Sequence, residues 1–213
     1  MTKGNSTYGH LSGKLLRRIR AKGAGWVFTP SDFADLGDPR SIGMVLTRLS
    51  RKGTIRRVQR GVYEVPAQHP IIGIVGAGAD SVAHAIARRD ALKLLPSGAH
   101  AANVLGLSTQ VSAKTAYGIA GHSRVQPVAG KAQIVFRHRS PKAMALAGRA
   151  SGWVAEALRN LGRAHITADR LHPLRDRLGA KEKKQLLDDL RYVPAWMRPH
   201  FNELARDDSA PVS

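Results

Sequence analysis

Residues 39–65 set the tightest limits on what this chain can become, because an amphipathic helix there runs straight into a β-hairpin. Ile42, Val45, Leu46 and Leu49 recur at i, i+3, i+4 and i+7, the spacing of one apolar stripe on an α-helix. Asp38-Pro39 is a start signal, a capping residue before a proline at the first helical position, and Gly53 is the stop, so the helix covers 39–52. At about 100° per residue, Arg40, Met44, Thr47 and Arg51 fall on the opposite face, with Arg48 beside them. Two β-prone runs follow, Thr54 to Val58 and Val62 to Val65, about the glycine-containing turn Gln59-Arg60-Gly61.

The segment before this unit completes an order of elements. Leu11, Leu15, Leu16 and Ile19 predict an amphipathic helix over 8–22, ended by Gly23 and Gly25. Trp26-Val27-Phe28-Thr29 is a short strand-like run, and Thr29-Pro30 starts a short helix from Ser31 to Leu36. Helix, strand, helix, helix, hairpin is the order of a winged helix-turn-helix, whose third helix enters the major groove of DNA. In that arrangement Arg40, Ser41, Thr47, Arg48 and Arg51 are the candidate base or phosphate contacts. Arg56, Arg57 and Arg60 on the wing would reach phosphate or the minor groove. Lys14 and Arg17 lie off the apolar face of the first helix and could touch the DNA backbone. A helix with arginines outside is, taken alone, an ordinary solvated helix. The hairpin placed directly after it carries the inference, although winged helices also serve as protein-docking modules.

Charge points the same way. The chain has 213 residues, with 34 Lys and Arg against 15 Asp and Glu, a formal net charge of +19. Residues 1–66 hold 13 of the basic residues and 4 of the acidic ones, nearly half the excess. A polyanionic partner is expected, nucleic acid first and an anionic membrane surface second; the winged-helix order narrows the nucleic acid to double-stranded DNA. The hydrophobic fraction of 43% supports a packed core. With no cysteine, disulfides, Cys-ligated zinc, iron–sulfur clusters and thiol catalysis are excluded. No apolar run approaches the ~18–20 residues that span a bilayer, and Met1 to Gly13 carries no signal-peptide core. A cytoplasmic protein without a membrane partner is the expectation.

Further along, Ile71 to Ser81 imitates a dinucleotide-binding loop, an apolar run leading into Gly76-Ala77-Gly78. Ser81 stands where a third glycine is needed, and after Asp90 the next acid is Glu156. The stretch reads better as a linker, which divides the chain into a winged-helix domain at 1–66, a linker at 67–78, an α+β domain at 79–207 and a frayed tail at 208–213. Helices are expected over 81–94 and from Pro96 to about Leu105. Strands are expected over 113–120, 124–128 and 132–138, joined by Gly121-His122-Ser123 and Ala129-Gly130-Lys131. Residues 141–161, interrupted at Gly148 and Gly152, then 167–178 and 180–190, read as helices, closed by Trp196, Met197, Phe201 and Leu204. The fold class is therefore α+β: the N-terminal winged helix-turn-helix, a small antiparallel sheet with helices, and a helical C-terminal region.

Catalytic chemistry is sparse. No cluster of carboxylates is in place to hold the cations of a nuclease or nucleotidyltransferase. The nine histidines show no ligand spacing, and Arg137 and Arg139 read as a solvated or phosphate-facing pair on one strand face. No catalytic residue, metal or cofactor is assigned, and the chain is not read as an enzyme.

Three strings carry a resemblance: Ile86-Ala87-Arg88-Arg89-Asp90, Leu95-Pro96-Ser97-Gly98-Ala99, and Ala102 to Val111, of which Leu105-Gly106-Leu107-Ser108-Thr109-Gln110-Val111 is the most specific. With the wing Arg56 to Tyr63 and the later Leu190 to Trp196, they resemble the AbiEi-type antitoxins of type IV toxin–antitoxin systems over about residues 10–205. The resemblance implies a transcriptional autorepressor whose winged helix binds inverted repeats at its own promoter. It also implies an antitoxin acting against a neighbouring nucleotidyltransferase-like toxin. The expected state is a monomer or weak dimer, cooperative on DNA. The alternative is an RNA-binding module that uses the same basic surface.

Overall fold

In a computed structural model, which describes residues 3–69, 73–110, 115–128 and 133–206, the stripe of Ile42, Val45, Leu46 and Leu49 is buried. Its helix is the second of a unit formed by α1 (Lys3–Lys22), β1 (Val27–Phe28), a single 3-10 turn (Pro30–Phe33), α2 (Pro39–Arg51), β2 (Arg56–Gln59) and β3 (Val62–Glu64). Leu11, Leu15 and Ile19 of α1 meet the α2 stripe in one core with Phe28, Phe33, Ile55 and Tyr63. Phe28 and Phe33 pack edge to face at 5.5 Å, and Trp26 stacks on Phe28 at 4.6 Å.

The helix ends follow from local chemistry. Gly23, at φ +81°, closes α1 with its N–H on the Ile19 carbonyl. Gly53, at φ +71°, does the same for α2, where the Gly53 and Thr54 amides bond back to the Ser50 and Leu49 carbonyls at 3.1 Å each. Helix α1 begins five residues before the expected start at residue 8, because residues 3–7 carry no apolar stripe that periodicity could register. Strands β1, β3 and β2 form an antiparallel sheet in that order, with Val27 and Arg56 both opposite Glu64.

The stretch read as a linker holds a two-stranded antiparallel ladder, β4 (Ala67–His69) and β5 (Gly73–Val75). Helix α3 (Ala79–Arg89) follows and packs on β1, β3 and the 3-10 turn. Two compact units result, the described residues of Met1–Leu92 with Pro127–Ile134, and those of Lys93–Gln126 with Val135–Ser213. The first unit thus takes in α3, which the sequence places beyond the linker. Val82, Ala83, Ala85 and Ile86 of α3 are buried, and the Arg88 guanidinium donates to the Val27 carbonyl at 2.8 Å and to the Asp32 carboxylate at 3.0 Å.

The second unit contains β6 (Leu95–Pro96), α4 (Gly98–Val104), β7 (Thr115–Ile119), and most of β8 (Arg124–Pro127) and β9 (Gln133–His138), of which Pro127, Gln133 and Ile134 group with the first unit. The sheet order is β6-β7-β9-β8, and β6 pairs antiparallel with β7. Helices α5 (Pro141–Met144), α6 (Ala150–Leu161), α7 (Ala168–Arg177), α8 (Ala180–Asp188) and α9 (Arg198–Ala205) complete it. Ala101, Ala102, Val154, Leu158, Leu174, Leu186, Phe201 and Leu204 fill their shared core. The expected helix 141–161 is two helices, broken at Gly148 with φ +78°. Gly152 lies inside α6 and is no break: a Cβ there would stand 2.3 Å from the Leu146 carbonyl oxygen, so the glycine serves close packing. The molecule is therefore α+β. Among the described residues no helix is long and apolar enough to cross a membrane. Ile71 and Ile72, residues 111–114, the turn Ala129-Gly130-Lys131 and the tail 208–213 lie outside the described residues.

Candidate nucleic-acid interface

Helix α2 is fixed at its first turn by Asp38, whose carboxylate accepts the Ser41 backbone N–H at 2.9 Å. Hydrogen bonding from Ser41, through its side chain first and its amide second, holds the Asp38 carboxyl below the usual carboxylate range. Ser41 is half-buried at this cap, whereas Arg40, Thr47, Arg48 and Arg51 are exposed on the face away from the core. The Thr47 hydroxyl donates to the Gly43 carbonyl at 2.8 Å, so it is turned back along the helix.

The hairpin turn is Arg60-Gly61, and Gly61 takes φ +72°, a left-handed conformation that suits glycine. Arg57 and Arg60 are exposed, and the pairing of β2 with β3 shifts between Arg57 and Gln59. Arg56 differs from both. Its guanidinium forms an ion pair with Glu64 directly across the ladder, and Glu64 is only 1% exposed. The other Glu64 oxygen accepts the Ala77 amide at 2.6 Å. Arg56 therefore braces the β2–β3 hairpin and is not a free guanidinium.

On α1, Arg17 is exposed and Lys14 half-buried. Between them in role stands Arg18, which sequence reasoning passed over. It makes a two-pronged ion pair with Asp35, 2.6 Å on each prong, and donates to the Asp32 carbonyl at 2.9 Å. The pair raises the Arg18 pKa and holds Asp35 below the usual range, each mainly through the side-chain hydrogen bond with the other. No sequence signal marked it, because the partners are 17 residues apart and meet only in the fold.

The four acidic residues of 1–66 are thus all engaged: Asp32 by Thr29 and Arg88, Asp35 by Arg18, Asp38 by Ser41, and Glu64 by Arg56 and Ala77. Among the described residues no carboxylate forms an ion pair with Arg40, Arg48, Arg51, Arg57 or Arg60. That leaves five uncompensated guanidinium groups on one helix and the hairpin that follows it. Planar guanidinium forks match phosphate and guanine edges two bonds at a time.

The second unit handles its arginines differently. A cavity of about 350 Å³ is lined by Ser97, Gly98, Arg137, Arg139, Glu156 and Asn160. There Glu156 accepts from both Arg139 and Arg159, which neutralises much of the local charge. Phe136 is buried, while Arg137 and His138 at the end of β9 are exposed.

Residues 14–186 match DUF6088, a family of unknown function. No curated protein matches the chain.

Proposed function

We propose that this chain, which belongs to the DUF6088 family, is a winged-helix DNA-binding protein that represses transcription from its own promoter. The observation that carries the reading is the uncompensated arginine face of α2, with every acid of the first 66 residues tied down elsewhere. The order of α1, β1, the 3-10 turn, α2 and the β2–β3 hairpin, with β1 closing the sheet beside β3, supports the winged-helix assignment. In this reading α2 enters the major groove, where Arg40, Arg48 and Arg51 meet guanine edges and flanking phosphates. Arg57 and Arg60 of the wing, with Lys14 and Arg17 of α1, hold the duplex backbone. The resemblance to AbiEi-type antitoxins extends the proposal to inverted repeats as the operator, and to antagonism of a nucleotidyltransferase-like toxin by the rest of the chain.

The test is fluorescence anisotropy on short duplexes tiling the ~200 base pairs upstream of the gene, with scrambled controls at two salt concentrations. Specific binding exceeds non-specific binding by about 10³-fold or more. One tile standing out by that margin supports an autorepressor, and its sequence gives the half-site spacing. Equal, salt-sensitive binding to every tile overturns the reading.

A further inference from the structure

We infer that the centre of the α2 face reads the C5-methyl groups of thymine, and that Met44 is the side chain that does so. The inference rests on the DNA-binding proposal and adds a specificity to it. Met44 is 41% exposed, while the apolar stripe of the same helix is buried. It stands one turn from Arg40 on one side and from Thr47 and Arg48 on the other, with Arg51 a further turn on, so it lies in the middle of the cationic face. The Thr47 hydroxyl is turned back to the Gly43 carbonyl at 2.8 Å, which leaves the threonine methyl as its outward chemistry.

Gly43 adds an independent observation. It sits in the interior of α2, where glycine weakens a helix, yet a Cβ built on it would meet nothing within 4 Å in this chain. Packing within the protein does not require that glycine. Gly43 flanks the exposed face, about 100° around the helix from Met44 and one turn from Thr47. Met44 and the Thr47 methyl, one turn apart, are the apolar groups among the exposed Arg40, Arg48 and Arg51 on this face.

The major groove offers one apolar group that fits such a patch, the thymine methyl, placed among the acceptors that guanidinium groups recognise. Methionine suits the contact because its flexible thioether adapts to an irregular apolar surface. Uracil lacks the methyl, and the major groove of A-form RNA is too narrow for side chains to read. The same patch therefore favours DNA over RNA.

The experiment uses the full chain and a pool of duplexes with a random 20-base-pair core, enriched by repeated binding and amplification. Amplified DNA carries no methylated base besides thymine. The selected duplex is then remade with deoxyuridine replacing each thymidine singly, and affinities are read by anisotropy for wild type and Met44→Ala. At one or two positions per half-site, deoxyuridine should weaken wild-type binding about fourfold, the partition gained by burying one carbon. For Met44→Ala that ratio should fall to about 1, with an unchanged circular dichroism spectrum. Wild-type binding that ignores deoxyuridine everywhere, or a ratio that survives in Met44→Ala, overturns the inference and leaves the DNA-binding proposal standing. A pool that never enriches overturns that proposal, and this inference with it.

Discussion

Arg56 and Glu64 face each other across the β2–β3 ladder, and the carboxylate of Glu64 is shared between the Arg56 guanidinium and the Ala77 amide. One buried acid thus ties the β2–β3 hairpin to the segment that leads into α3. The Ala77 amide belongs to the Gly76-Ala77-Gly78 string that imitates a nucleotide loop. A Cβ on Gly76 would stand 2.6 Å from the Arg56 guanidinium, so this glycine lies against the arginine of that pair.

Removing Arg56 strands a carboxylate that is almost wholly buried. Arg56→Ala should therefore lower unfolding free energy by about 2 kcal/mol, the cost of an unpaired charged hydrogen-bond partner. Arg56→Met combined with Glu64→Gln should recover most of that loss, since the amide can still accept from Ala77. Urea denaturation of the single and double variants checks the coupling. Equal losses in both would mean that the pair contributes nothing beyond its separate side chains.

Arg57 and Arg60, without an acidic partner, should behave in the opposite way. The Arg57→Ala and Arg60→Ala variants should each keep their stability within about 0.5 kcal/mol, as substitutions at exposed positions usually do. Each should flatten the plot of log affinity against log salt by about 0.9 per phosphate contact removed. Arg40→Ala or Arg51→Ala should instead lose discrimination between sites, by about 1–3 kcal/mol per base contact. Anisotropy at several salt concentrations separates these outcomes, and an unchanged salt slope in the wing variants would remove the wing from the interface.

The face of α2 was legible in the sequence because a single helix records its own geometry: Ile42, Val45, Leu46 and Leu49 are buried, and the arginines opposite them are exposed. Partnerships between distant residues were not legible. Nothing local distinguishes Arg56 from Arg57, and only the cross-strand register places one of them opposite Glu64. Strand β6 escaped for another reason. Pro96 cannot donate to a ladder and reads as a helix start, but an edge strand tolerates it, and β6 is at the edge of its sheet. The ladder of β4 and β5 was hidden because an apolar run leading into glycines satisfies the loop pattern equally well.

Acid should loosen the first unit by a specific route. Asp35 and Asp38 both titrate below the ordinary carboxylate range, held there by Arg18 and by Ser41. A carboxyl whose pKa is depressed by folding stabilises the fold above its unfolded value near 4, and that contribution fades as pH falls through the folded value. Asp35→Asn and Asp38→Ala should therefore be less stable than wild type at pH 7 and at pH 5. The difference should shrink below about pH 4, where the wild-type groups take up protons. Urea midpoints at pH 7, 5 and 3 test this. A gap that is constant across all three would assign the losses to packing and not to charge.

The end of α3 holds a stabilising substitution. Leu92 donates its amide to the Ala87 carbonyl at 2.8 Å, and Ala91 donates to Arg88 at 3.3 Å, which places Ala91 at the turn of the helix terminus with φ +51°. It is the residue with a side chain that takes positive φ among those described, and glycine usually fills such a position. A left-handed conformation costs an L-residue about 1–2 kcal/mol, whereas glycine's greater freedom in the unfolded chain takes back about 0.5–1 kcal/mol. Ala91 is exposed, so deleting its methyl group forfeits little packing. Ala91→Gly should therefore stabilise the protein by about 0.5–1 kcal/mol, the difference between those two effects. The urea midpoint should rise with an unchanged slope, because neither state changes the surface it exposes. A lowered midpoint would mean that unfolded-state freedom outweighs the strain at this turn.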